Sequence, residues 1–208
     1  MYYRVLLLLT ILLFSCRDNI VRRSTADYYP DAVGAAWLYN SGSLEIFMQV
    51  EAETTWANYE AALFTVNGES YFRAKQADGI YYYFDLRVPY GGYEYPIETR
   101  YRKWIQLPLL AGSDWGDVMV DSIEVSGQRV RIEHRIAGRV VGFEDIDVPA
   151  GVFQDVYHVE IVNVCRISSS IYTRLDSAFI HEYYAPDIGL AIVDSSGKRF
   201  QLTQHQGL

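Results

Sequence analysis

The sequence predicts a mainly β protein: a strongly curved antiparallel sheet, half-barrel or open barrel meander, with little helix. Three observations lead there. Beyond residue 27, apolar and polar residues alternate with period two nearly to the end, as in strands that bury one face. Turn-forming dipeptides separate the alternating runs. The composition is 15% aromatic, with 18 Tyr but only 6 Pro, which suits a folded β domain and not a disordered tail.

The front end sets the address. Arg4 precedes the apolar stretch Val5–Phe14, too short to cross about 30 Å of hydrocarbon as a helix. A positive start, a short apolar centre and a small residue before the break describe a secretory signal. Leu13-Phe14-Ser15-Cys16 resembles the lipobox of bacterial lipoproteins, in which the cysteine takes acyl chains such as palmitate and becomes the new N-terminus. Each buried methylene of such chains adds about 0.8 kcal/mol of membrane affinity. Residues 1–15 thus read as a signal peptide, 16–27 as the lipidated cysteine and a polar tether, and 28–208 as one β domain. The resemblance implies a lipid-anchored envelope protein, with the outer membrane favoured over the inner because Arg17, and not Asp, follows Cys16.

The strand pattern is plain in three runs. Leu44, Ile46, Met48, Val50 and Ala52 alternate with Glu45, Gln49, Glu51 and Glu53; Ile80, Tyr82, Phe84 and Leu86 with Tyr81, Tyr83, Asp85 and Arg87. Val130, Ile132, His134 and Ile136 alternate with Arg129, Arg131, Glu133 and Arg135. Asn67-Gly68, Asp78-Gly79, Ser126-Gly127 and Ser195-Ser-Gly197 supply the turns, since such residues tolerate positive φ. The expected product is a meander of ten to twelve strands. Thr55–Leu63 is the one stretch that also fits a short helix. Pro30-x3-Gly34-x2-Trp37 recurs as Pro108-x3-Gly112-x2-Trp115, which raises the prospect of two similar halves.

Four segments, YYPDAVGAAWLY (28–39), LPLLAGSDW (107–115), VPAGVFQDVYHVEI (148–161) and YYAPDIGLAIVD (183–194), resemble those of a broad set of uncharacterised β-rich bacterial lipoproteins and secreted proteins. That resemblance implies a curved sheet similar to the half-barrels of periplasmic lipoprotein carriers. It carries no catalytic residues, because no activity is established for the set.

A search for chemistry finds no enzyme. There is no Gly-x-Ser-x-Gly elbow, glycine-rich phosphate loop, Cys-x-x-Cys or His-Glu-x-x-His, so no cofactor, metal or catalytic set is assigned. The formal net charge of −8 argues against nucleic acid, whose phosphates need a basic face. Asp114, Asp117 and Asp121 lack calcium-loop spacing and read as a solvated corner. With Cys16 lipidated, Cys165 has no partner and reads as a small core residue. His134 lies on the apolar parity of its strand, and His181 shares parity with Phe179 and Tyr183; two inward imidazoles there would suit a metal or a polar ligand group. His158 and Glu160 share the opposite parity to Cys165's strand face, a two-ligand surface arrangement without an evident third. His205 falls in the tail. Tyr90, Tyr93 and Tyr95 crowd a Gly-rich stretch where the alternation fails, and loop aromatics often mark recognition. The expectation is a non-catalytic envelope lipoprotein that binds a partner protein or an apolar ligand. The rival readings are a glycan-binding or adhesion module using the three tyrosines, and an unrecognised hydrolase, which would need ionisable groups converging in one cleft.

Overall fold

A computed structural model describes residues 25–90, 93–170 and 173–207. Cys16 and the signal segment lie outside the described residues. The chain forms twelve strands: β1 (Ala36–Ser41), β2 (Leu44–Trp56), β3 (Tyr59–Val66), β4 (Glu69–Gln76), β5 (Gly79–Tyr90), β6 (Tyr93–Gln106), β7 (Asp114–Val125), β8 (Gln128–Val148), β9 (Gly151–Ser168), β10 (Thr173–Ala185), β11 (Gly189–Ser195) and β12 (Lys198–Gln206).

The order across the sheet is β6-β5-β4-β3-β2-β1-β12-β11-β10-β9-β8-β7, antiparallel throughout. This is an up-and-down meander wrapped almost into a closed barrel. The first and last strands pair, through Trp37↔His205 and Tyr39↔Leu202, whereas the neighbours in sequence β6 and β7 do not. The one open seam lies between them.

Local chemistry explains the turns. Asn67 and Gly68 have φ of 51° and 87°, and Ser126 and Gly127 have 51° and 76°, the paired positive values of tight hairpins. Ala57 and Asn58 do the same at 47° and 67°, so the stretch that also fitted a helix is a hairpin closed by Trp56↔Tyr59. The Asp78-Gly79 signal is displaced by one residue. The turn is Ala77–Asp78, and Gly79 already pairs with Gln106 of β6. A Cβ on Gly79 would sit 2.6 Å from the Ile105 carbonyl oxygen, so glycine is required there by close approach.

The repeated Pro–Gly–Trp segments adopt one backbone design. Gly34 N donates to Val50 O (2.9 Å), Ala35 N to Ala32 O (3.0 Å), and Val50 N to Ala35 O (2.9 Å). In the second copy Gly112 N donates to Val140 O (2.7 Å), Ser113 N to Leu110 O (2.9 Å), and Val140 N to Ser113 O (2.9 Å). Each corner opens one six-stranded half, β1–β6 or β7–β12.

The inward parity is apolar as expected: Val50, Ile80, Ile132, Ile136, Val140, Val159 and Ile161 are fully buried. One end of the barrel is plugged. Residues 27–30 run across it, with Tyr28 and Tyr29 packed among Ile105, Leu109, Trp115 and Tyr184. Asp27 pairs with Lys75 (2.7 Å) and its carbonyl accepts from Asp187 N (2.8 Å), and Arg73 Nη2 donates to Pro30 O (2.6 Å). Up-and-down topology puts the β5–β6 and β9–β10 hairpin tips at the opposite end.

Candidate functional site

The interior away from the plug is hollow. One cavity of about 490 Å³ is lined by Met48, Phe64, Val66, Tyr82, Phe84, Leu86, Trp104, Asn163 and Glu182, among others. A second, of about 320 Å³, shares Phe84, Leu86 and Asn163 and adds Ile97, His134, Cys165 and Ile167. Each falls within the roughly 300–1,000 Å³ of small-ligand sites. Their walls are built mostly by inward residues of β2, β3, β4, β5, β6, β8, β9 and β10, so the lumen follows from alternation in a barrel too wide to fill with side chains.

Two polar groups face this apolar space. Glu182 of β10 is buried, and its carboxylate accepts from Trp104 Nε1 (3.2 Å to Oε2) and from Tyr184 Oη (2.6 Å). Burial pushes its carboxyl up to about 7, against the two hydrogen bonds, which favour the charged form. Trp104 meets Tyr82 edge-on at 5.9 Å and Phe84 at 6.4 Å, which fixes the indole that holds Glu182.

The second group is a network across the seam. His134 of β8 is 1% exposed, with Nδ1 2.6 Å from Glu98 Oε2 and Nε2 2.7 Å from Asn163 Oδ1. Arg102 of β6 donates from Nη1 to Glu98 Oε1 (2.5 Å) and from Nε to Asp117 Oδ2 (2.6 Å). Its Nη2 donates to the carbonyls of Asp117 (2.9 Å) and His134 (3.2 Å). Burial would raise the Glu98 carboxyl, but the His134 and Arg102 bonds and the Arg102 charge outweigh it and hold the group at about 2. Asp117 is thus a seam residue, while Asp114 and Asp121 are exposed.

The expected His134–His181 pair does not form. His134 is inward, but His181 lies on the outer face, beside His158 and Glu160. The parity of Phe179 and Tyr183 misled because it is the outer one: Phe179 is 52% exposed, and the inward residues between them are Ile180 and Glu182. Both ring nitrogens of His134 already face oxygen acceptors, which leaves none for a substrate. Cys165 pairs in register with His134; burial, then the Asp176 and Glu98 charges, push its thiol up, opposite to the shift an activated nucleophile needs.

The tyrosine stretch is not a loop but the tip of the β5–β6 hairpin, closed by Tyr90↔Tyr93. Tyr93 is 72% exposed and Tyr95 half-buried; nothing is described of the Tyr90 side chain. Glu182, Arg102 and Glu98 were missed by the sequence reading. The usable signal was that Glu182 shares parity with Ile180 and Tyr184.

The structure thus defines a lumen-bearing antiparallel barrel with a side-chain-closed seam. It is similar to two solved structures. A candidate lipoprotein from Parabacteroides distasonis aligns over 87% of this chain and 99% of its own at 13% identity, with a TM-score of 0.45. A candidate exported protein with a YmcC-like fold from Bacteroides fragilis aligns over 88% and 100% at 12% identity, with a TM-score of 0.39. No protein-family model and no curated protein sequence matches the chain.

Proposed function

We propose that this chain is a non-catalytic lipoprotein of the bacterial envelope whose barrel lumen holds an apolar ligand. The observation that carries the reading is the aromatic-lined cavity of about 490 Å³ with Glu182 at its wall. Phe64, Phe84, Leu86 and Trp104 offer apolar surface, and Glu182 and Asn163 offer a place for a hydroxyl or amine head group. The described chain begins at the plugged end. For an anchor on Cys16, the Arg17 that follows it favours the outer membrane.

Native mass spectrometry of the full chain, extracted in mild detergent, tests the ligand. A bound apolar molecule is expected, and it should be lost when Leu86→Trp fills the space shared by both cavities. A chain that carries nothing and takes up no fluorescent fatty acid rejects the ligand. Cys16→Ser protein that stays with membranes through salt and carbonate washing rejects the anchor.

A second reading rests on Tyr93, 72% exposed at the tip beside the mouth. An exposed aromatic there suits contact with a sugar ring or a partner protein. Glycan-array binding lost in Tyr93→Ala would favour this reading over the first.

A further inference from the structure

His158 and Glu160 are two residues apart on β9 and so share its outer face. β10 sets His181 opposite Glu160 and Tyr183 opposite His158. The pairing brings three ligand-type atoms together: His158 Nε2 is 2.9 Å from His181 Nδ1, and His181 Nδ1 is 3.8 Å from Glu160 Oε1. All three lie within 4.8 Å of one another. The third ligand is cross-strand, which is why spacing along one strand could not reveal it.

The rings are held in place. His158 lies flat on Tyr183, with centroids 4.4 Å apart and planes 5° apart. Phe179 meets His181 edge-on at 4.7 Å and 89°. Neutral imidazole is the form that ligates metal.

We propose that His158, Glu160 and His181 bind one divalent transition-metal ion of the zinc class on the outer face of the barrel. Two imidazoles and one carboxylate suit zinc, whereas calcium and magnesium prefer all-oxygen sets. Tetrahedral ligands at zinc distances stand roughly 3.3–3.5 Å apart. The two nitrogens therefore part slightly on binding, and the half-exposed Glu160 swings inward. The side chains of His181 and Glu160 are 29% and 35% exposed, so the fourth position opens to solvent. The two interior cavities are not lined by these residues. The site clips β9 to β10 and offers an open position to a donor from outside the chain.

The test is calorimetric titration of the untagged full chain, in detergent, with Zn²⁺, paired with the visible spectrum of the Co²⁺ form. One ion per chain and the intense bands of tetrahedral cobalt are expected. Loss of an outer partner alone costs a metal site about 10–100-fold in affinity, so His158→Ala, His181→Ala and Glu160→Gln should each weaken binding more than about tenfold. The chain has four histidines, and His205→Ala should change nothing. Neither heat nor cobalt bands from the unaltered chain with excess metal overturns the proposal, whatever the variants do. So does binding that survives the His158→Ala/His181→Ala double variant, or that vanishes with His205.

Discussion

The Arg102 guanidinium on β6 bonds both the carboxylate and the backbone carbonyl of Asp117 on β7, at 2.6 and 2.9 Å. Where every other neighbouring pair of strands has a ladder, this pair has a side chain. Trp115 adds a second link, donating from Nε1 to Trp104 O at 3.1 Å. Arg102→Met removes the cation that faces two carboxylates, one of them fully enclosed. Breaking a buried pair from one side costs about 3–5 kcal/mol, and urea unfolding should show a loss of that size.

Glu98 makes the same network acid-sensitive. Its folded pKa of about 2 lies below its ordinary 4.5. Its contribution is therefore present above pH 4.5 and is lost as pH falls from there toward 2. Chemical denaturation across pH 2–5 should show that decline, and Glu98→Gln should flatten it.

Glu182 acts in the opposite direction. Its carboxyl is raised from 4.5 to about 7, so the folded state holds a proton that the unfolded chain has released. The fold is most favoured below pH 4.5 and loses about 3 kcal/mol as pH rises to 7. Glu182→Gln, which keeps an oxygen for Trp104 and Tyr184, should remove this slope and be the more stable protein at pH 8. From these two carboxyls alone, stability peaks near pH 4.5.

Gly138 is fixed by Trp115 rather than by backbone freedom. A Cβ there would lie 2.2 Å from the indole, whose Nε1 is already committed to Trp104. Overpacking of this kind costs about 1–3 kcal/mol. Gly138→Ala should lower the Tm accordingly, while Gly142→Ala on the same strand, with open space at its Cβ, should not.

Alternation made the fold class legible, and it placed Val50, Ile80, Ile132 and His134 inward without tertiary information. It failed on β10, where both parities carry aromatic or aliphatic side chains. Periodicity tells which residues share a face, not which face is inside. Pairing across strands was equally silent: His181 meets Glu160 only through the β9–β10 register, and Arg102, within the basic run Arg100–Lys103, meets Asp117 only because the barrel curls round. The Asn-Gly and Ser-Gly turns were readable because positive φ is a local property.

The β1–β12 pairing bears on how the molecule assembles. Thr203 Oγ1 donates to Leu38 O across 165 residues of chain, while each remaining ladder joins strands that are neighbours in sequence. Hairpins can form early and independently, but the loop-closure entropy of the ring falls on this single contact. Until it forms, β1 and β12 are bare edges able to recruit the same strands of another molecule. Weakening β1 or β12 should therefore show first as aggregation during refolding.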